Sequence, residues 1–419
     1  MRQTIAAAGA AVGVALALPA AAAAHAVLLR TNPADRSVLA RAPQEVRVVF
    51  DDTIRAASGI RAVRNGGDSV LGGKPHVTGR KTLVVPLTRL GDGDYTVLWR
   101  IVSDDGHTEA GVIAFAVGAG RAPPTPSLTA SAGPSARDVV SRWLFFAGLL
   151  VAAGGALFRL ATGSGRATLL VPAFVAVFLG ASGLLPHHGT LATRFGIAYA
   201  IAAIVAALGA TAATIAVADR RASGAVWVLA LVLLPLPSVA GHALDAGVPR
   251  YDVPVDMVHL AAAAVWTGGL VQLAFLLRSP TRGEVLRRFS TVALVAVALL
   301  AGTGVLRAIA ELSAVSQLWT TGYGVALVVK SALLAVLAGI GWLNRYRLVP
   351  RGDVLALRMT TAGELVLLAG LIVAVAILTD VRPGKAHTAA AATASGPRGR
   401  GGLKFFMVVA AIVGWKPRV

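Results

Sequence analysis

The chain has 419 residues, of which 56% are hydrophobic and only 14% charged; its formal net charge is +19 and it contains no cysteine. That balance is too apolar for an ordinary soluble protein and points to membrane spans. The missing cysteine excludes disulfides, thiolate metal sites and a catalytic thiol. The positive charge does not signal nucleic acid, because the arginines sit between apolar runs, where charge sets topology, and no nucleic-acid-binding motif is present.

In chain order, the first 24 residues have the layout of a secretory signal peptide. Arg2 is the basic start, residues 5–19 are a short apolar stretch, and Ala22-Ala23-Ala24 gives the small-x-small pattern before a cleavage site. The stretch is short and Ala-rich, which favours cleavage over the alternative of an uncut anchor with His25 as an ordinary loop residue. Cleavage after Ala24 makes His25 the first residue of the mature protein.

Residues 25–118 are the only stretch of soluble character. The runs EVRVVF (45–50), TLVVP (82–86), DYTVLWRIVS (94–103) and GVIAFAV (111–117) are rich in β-branched and aromatic residues. In the third, Tyr95, Val97, Trp99 and Ile101 share one face, as the two-residue period of a strand requires. Turn signals at NPAD (32–35), NGGD (65–68) and LGDGD (90–94) separate the runs. Short strands at this spacing predict an all-β sandwich or small barrel. Residues 119–136 then read as a Pro/Ser/Ala linker.

From 137 to 384 the sequence predicts an all-α membrane domain of eight spans, at about 140–160, 167–186, 195–218, 224–241, 254–277, 288–308, 322–343 and 362–380. The signal peptide places residues 25–136 outside. Arginines then concentrate in the loops that fall inside, while the outer side holds fewer, among them Arg194, Arg250 and Arg307. Two independent signals thus give the same orientation, with both ends of the mature chain outside the cytoplasmic membrane of a bacterium. Residues 385–419 are a low-complexity tail with a short apolar segment whose form the sequence leaves open.

A mature N-terminal histidine can chelate one metal ion through its α-amine and imidazole together. A nitrogen-rich tetragonal set suits Cu(II). Further ligands are offered by SDDGHTEAG (103–111), where Asp105 and His107 are two apart and would point the same way from an extended segment. The plainer reading of D-x-H, a polar turn with a solvated histidine, stays open on spacing alone. His76 reads as a loop histidine. Residues 25–120 hold no Met or Cys, so a soft Cu(I) site is not expected there.

HAVLLRTNPADRSVLARAPQEVRVVFDD (25–52) and SDDGHTEAGVIAFAV (103–117) resemble the two ends of the CopC family of periplasmic copper-binding proteins. The resemblance implies a cupredoxin-like or Ig-like β-sandwich. It also implies a Cu(II) site made by His25, Asp105 and His107. The membrane part resembles the CopD family of copper-transport proteins in a CopC–CopD fusion, most clearly at VDMVHLAAAAVWTGGL (255–270).

Within the spans, His187, His188, His242 and His259 gather towards one membrane side, with Asp256 one turn before His259. Lys330 falls mid-span, Glu364 near the inner start of span eight, and Arg307 and Glu311 are four apart. Intramembrane ionisable groups are costly and are functional candidates by default. His187, His188, His242, Asp256, His259 and Lys330 therefore form a candidate copper pathway, with interfacial histidines as the plainer alternative. The expected function is copper acquisition and homeostasis, with the lipid bilayer, copper ions and copper-handling proteins as partners. A haem held between membrane histidines, in a redox protein, and copper sequestration for resistance stay as alternatives. No nucleophile motif, phosphate loop or paired-carboxylate site supports an enzyme.

Overall fold

The computed structural model describes residues 26, 28–104, 106, 108–129, 136–188, 191, 193–240, 249–277 and 282–379. His25, Asp105, His107, His242, the expected signal peptide and the tail lie outside the described residues. His187 and His188 are described as backbone only.

Among the described residues, nine strands form two sheets. One has the order β1 (Leu28–Asn32), β3 (Glu45–Phe50), β7 (Thr82–Pro86), β6 (His76–Thr78); the other runs β2 (Ser37–Leu39), β9 (Thr108–Val117), β8 (Gly93–Ser103), β4 (Ile54–Ala56), with β5 (Arg61–Arg64) also on β8. The four expected strands are all present. The five others are short, and His76 opens an exposed edge strand rather than lying in a loop. Tyr95, Val97, Trp99 and Ile101 do share the core face, none more than 5% exposed. Trp99 meets Phe50 edge-on with ring centroids 5.3 Å apart, and Tyr95 stacks on Phe115 at 5.5 Å. The Phe50–Trp99 contact joins the two inner faces, and Tyr95–Phe115 is a cross-strand pair on one of them.

The expected linker is not free along its length. Thr125 O accepts from Asn65 Nδ2 at 2.9 Å, Ser127 N donates to Thr96 Oγ1 at 3.0 Å, and Arg121 pairs with Asp94 at 2.9 Å. Residues 121–127 thus form a strap across β5 and β8. Pro and Ser composition signals extended chain but not what that chain lies against.

Among the described residues, eight helices are long and apolar enough to cross a membrane. They are α1 (Ala136–Thr162), α2 (Val171–His188), α3 (Arg194–Ala218), α4 (Ser223–Val232), continued after a break by Leu236–Ala240, α5 (Pro249–Leu276), α6 (Arg282–Glu311), α7 (Gly322–Leu343) and α8 (Val354–Leu378). The break in the fourth span falls at LLPLP, where Pro235 and Pro237 cannot donate backbone hydrogen bonds. Thr193, Thr321 and Asp353 cap the N-termini of α3, α7 and α8.

Helices meet through small residues. Gly154 on α1 faces Ala264 and Gly268 on α5 so closely that a Cβ would overlap the Ala264 carbonyl. Exposed Ile204, Leu208, Val305, Ile309 and Val366 cover the outer surface, as lipid contact requires. The span boundaries differ from expectation in three places that matter. Helix α5 begins at Pro249, five residues early, so His259 lies in its third turn rather than near its start. Helix α8 begins at Val354, so Glu364 lies in its third turn rather than at its start. Arg307 lies within α6, not in a loop.

Candidate metal-capture end and membrane relay

Strand register decides which end of the sandwich could hold a metal. Leu28 pairs with Phe50, and Ile54 pairs with Ser103. The start of β1, the β3–β4 connection and the β8–β9 turn therefore share one end. Ala26, next to His25, is 1% exposed and packs in the sandwich core, which ties the chain beside the expected first ligand to that end. The β8–β9 hairpin closes after the Val102–Thr108 pair. Gly106 N donates to Ser103 O at 2.9 Å, and Gly106 has φ +81°, a value that favours glycine. Gly106, between the two expected ligands, thus sits in a turn.

The same end carries a group of carboxylates. Asp52 has its pKa raised from the ordinary 3.8, first by burial and then by the charges of Asp104 and Asp51; the Thr53 amide and Arg194 oppose the rise. Thr53 N donates to Asp52 Oδ1 at 2.6 Å. Asp104 in turn meets the membrane bundle, since Arg194 Nε, at the start of α3, donates to Asp104 Oδ2 at 2.7 Å. Phe195 N points to Asp104 O at 3.4 Å. A Cβ on Gly106 would overlap the Phe195 ring.

At the same end of the bundle, three helices bring polar groups together. His259 Nδ1 on α5 lies 2.8 Å from Thr303 Oγ1 on α6. The Thr303 hydroxyl has one proton, which goes to the Leu299 carbonyl at 2.5 Å. With the proton placed there, its oxygen is an acceptor for His259 Nδ1–H. The neutral tautomer that uses this acceptor leaves the Nε2 lone pair available, the arrangement in which a histidine serves as a metal ligand. Gly304 adds no side chain beside the ring; its Cβ position would be 3.7 Å from His259 Cε1.

One turn towards the sandwich, Arg307 forms ion pairs with Asp256 and, at 2.9 Å, with Glu311. Lys330 on α7 is within electrostatic range of His259, Arg307 and Glu311. Two cations face two carboxylates, so the cluster is close to charge-balanced. Pairing of this kind is how ionised groups persist in a bilayer. Among the described residues, no three His, Asp or Glu side chains converge as a metal cage. His259 is therefore a single-nitrogen station beside a neutral ionic network, and Asp256 is committed to Arg307.

Glu364 is 1% exposed and accepts from Asn344 Nδ2 at 3.2 Å. Asn344 opens a π-helical turn that continues α7, a deviation frequent at functional sites. Thr303 and the Asp256–Arg307 pairing were missed in the sequence. A threonine in an apolar run has no distinguishing signal, whereas an Asp and an Arg in separate spans on the same membrane side can be sought as partners.

A β-sandwich seated at one end of eight apolar helices, with a polar cluster inside the bundle at that end, defines a multi-pass membrane protein with an appended sandwich domain. Residues 28–118 match the CopC domain, and residues 283–378 match Copper resistance protein D, CopD. The chain therefore carries a CopC domain and a CopD domain in one sequence. The CopD match is narrower than the resemblance over 137–384 and does not include 255–270; it takes in Thr303, Arg307, Glu311, Lys330 and Glu364 but not His259. "Copper transport protein CutJ" of Bacillus subtilis (strain 168) is 26% identical over 368 residues, 77% of this chain and 68% of that protein. "Protein YobA" of Escherichia coli (strain K12) is 34% identical over 98 residues, 22% of this chain and 79% of that protein. Among solved structures, CopC from Methylosinus trichosporium OB3b is 22% identical with a TM-score of 0.21, covering 26% of this chain and all of that one. PcoC, a methionine-rich copper resistance protein from Escherichia coli, is 25% identical with a TM-score of 0.20, covering 22% of this chain and 99% of that one.

Proposed function

We propose that this protein captures Cu(II) on the extracytoplasmic side and passes copper inward through its helical bundle, with copper as cargo and no catalytic step. In this reading residues 1–24 are a removed signal peptide, 25–118 the capture domain, 119–136 the connection, 137–384 the conducting domain and 385–419 a tail. His25, with its free α-amine, Asp105 and His107 hold Cu(II). His187, His188 and His242 stand at the entrance, and His259 receives the ion. Copper-handling proteins on either side supply and accept it.

The observation that carries the reading is the His259–Thr303 pair. A histidine within a span is costly unless used, and here Thr303 offers an acceptor for Nδ1–H in the tautomer that leaves Nε2 available to bind. The nearby Asp256–Arg307–Glu311 set, with Lys330, removes most of the net charge that would otherwise repel or trap a cation. The copper-transport name of the Bacillus relative, which spans most of both chains, supports the same cargo.

The test is copper uptake by copper-starved cells making the whole protein. His259→Ala should abolish the protein-dependent uptake, and Thr303→Val, which keeps the shape but removes the acceptor, should lower it about tenfold or more. Uptake unchanged in His259→Ala, at equal protein levels, would remove the relay. A Soret absorption band in the purified protein would replace transport with haem redox chemistry.

A further inference from the structure

The β8–β9 turn is expected to bear two copper ligands, and it is also the part of the sandwich that touches α3. Asp104, the residue before Asp105, pairs with Arg194, and side chains of both are largely buried at 15% and 21% exposure. Gly106, between the two expected ligands, lies under the Phe195 ring. Phe195 is braced in turn by Tyr199, with ring centroids 4.1 Å apart, and Tyr199 by Phe145 on α1 at 4.5 Å. The aromatic support therefore reaches into the packed centre of the bundle. Asp52, on the β3–β4 connection, is within electrostatic range of Arg194 and Asp104. The C-terminus of α2, with the backbone of His187 and His188, precedes α3 by one short connection.

We propose that Asp104, Gly106, Arg194 and Phe195 form a docking latch, which seats the ligand-bearing turn on the start of α3 so that copper leaves the sandwich from a fixed position beside the α2–α3 connection. Arg194 and Phe195 are positioning residues; they bind no copper. The charge pair supplies registry and the glycine supplies close approach, since any side chain at 106 would lift the turn off the ring. The proposal rests on the copper reading for its purpose but not for its geometry.

Two experiments separate the two. In the whole protein, Arg194→Glu should leave the Cu(II) paramagnetic resonance spectrum unchanged while reducing copper uptake by about fivefold, from loss of the tethered, oriented state. Asp104→Arg combined with Arg194→Asp should recover at least half of the loss. Uptake by Arg194→Glu equal to that of the unaltered protein overturns the latch. The second experiment needs no copper. Asp104→Cys and Phe195→Cys, introduced together into this cysteine-free chain, should form an intramolecular disulfide in membranes treated with a copper-free oxidant, because their backbones approach as N and O at 3.4 Å. A cross-link in a protein that moves no copper keeps the latch and removes the copper reading instead.

Discussion

The sandwich and the bundle solve burial in opposite ways. The sandwich fills its centre with large rings and β-branched chains, Phe50, Trp99, Tyr95 and Phe115 among them, and leaves nearly all its charged groups outside, with Glu109 the buried exception. The bundle brings backbones together through glycine and alanine and places its few charges inside, on Asp256, Arg307, Glu311, Lys330 and Glu364. In water the cost of burying a charge drives it outwards, so interior charge is rare and the core is defined by size. In a bilayer the helix surface is as apolar as its surroundings, so small residues define contact and interior charge marks use.

That contrast is broken or sharpened most strongly at Trp99. Trp99→Ala should cost the sandwich about 3–5 kcal/mol and unfold it, while the bundle keeps its helical circular dichroism in detergent. A parallel loss of helix would mean that the two parts fold as one. Gly154→Leu should do the reverse. A side chain there presses on the Ala264 carbonyl and should cost about 1–3 kcal/mol, lowering the detergent melting temperature of the helices and leaving sandwich fluorescence unchanged. The smallest effect lies at the rim. The pKa of Asp52 is raised in the folded chain, so the folded form holds this proton more tightly. Stability from this group is therefore present at low pH and is lost as pH rises above the ordinary value of 3.8. Asp52→Asn keeps an acceptor for the Thr53 amide and removes that loss. It should raise the melting temperature at pH 7 by an amount worth less than about 0.5 kcal/mol, with no gain at pH 3.5. An equal gain at both pH values would assign the effect to packing.

Legibility in the sequence followed the length of each element. Runs 45–50, 82–86, 94–103 and 111–117 are long enough for the two-residue period to register, and each is a strand. Strands β2, β4 and β6 have three residues each, which no periodicity can reveal. All eight spans were legible from hydropathy, and several starts fell within a residue of expectation, but those of α5 and α8 did not, because Pro249 and Asp353 begin helices in polar sequence before the apolar run is reached. Of the candidate site, His259 and the Arg307–Glu311 pair were legible as polar residues in or beside apolar runs. Their roles were not, since Thr303, Asp256 and Arg307 meet across helices, and only packing decides which faces oppose. Arg194 and Arg307 read as topology signals by position, and each proves to be held by a carboxylate.

The strap has a kinetic meaning. With Ser127 fastened to Thr96 and Asn65, only residues 128–135 separate the sandwich from α1, at most about 30 Å of chain. A capture domain on so short a lead meets its own bundle at an effective concentration in the millimolar range, far above that of any neighbour in the membrane. Delivery is then a first-order event within one molecule. Its rate per molecule is set by the arrival and release of the ion, and it stays the same however densely or sparsely the membrane is populated.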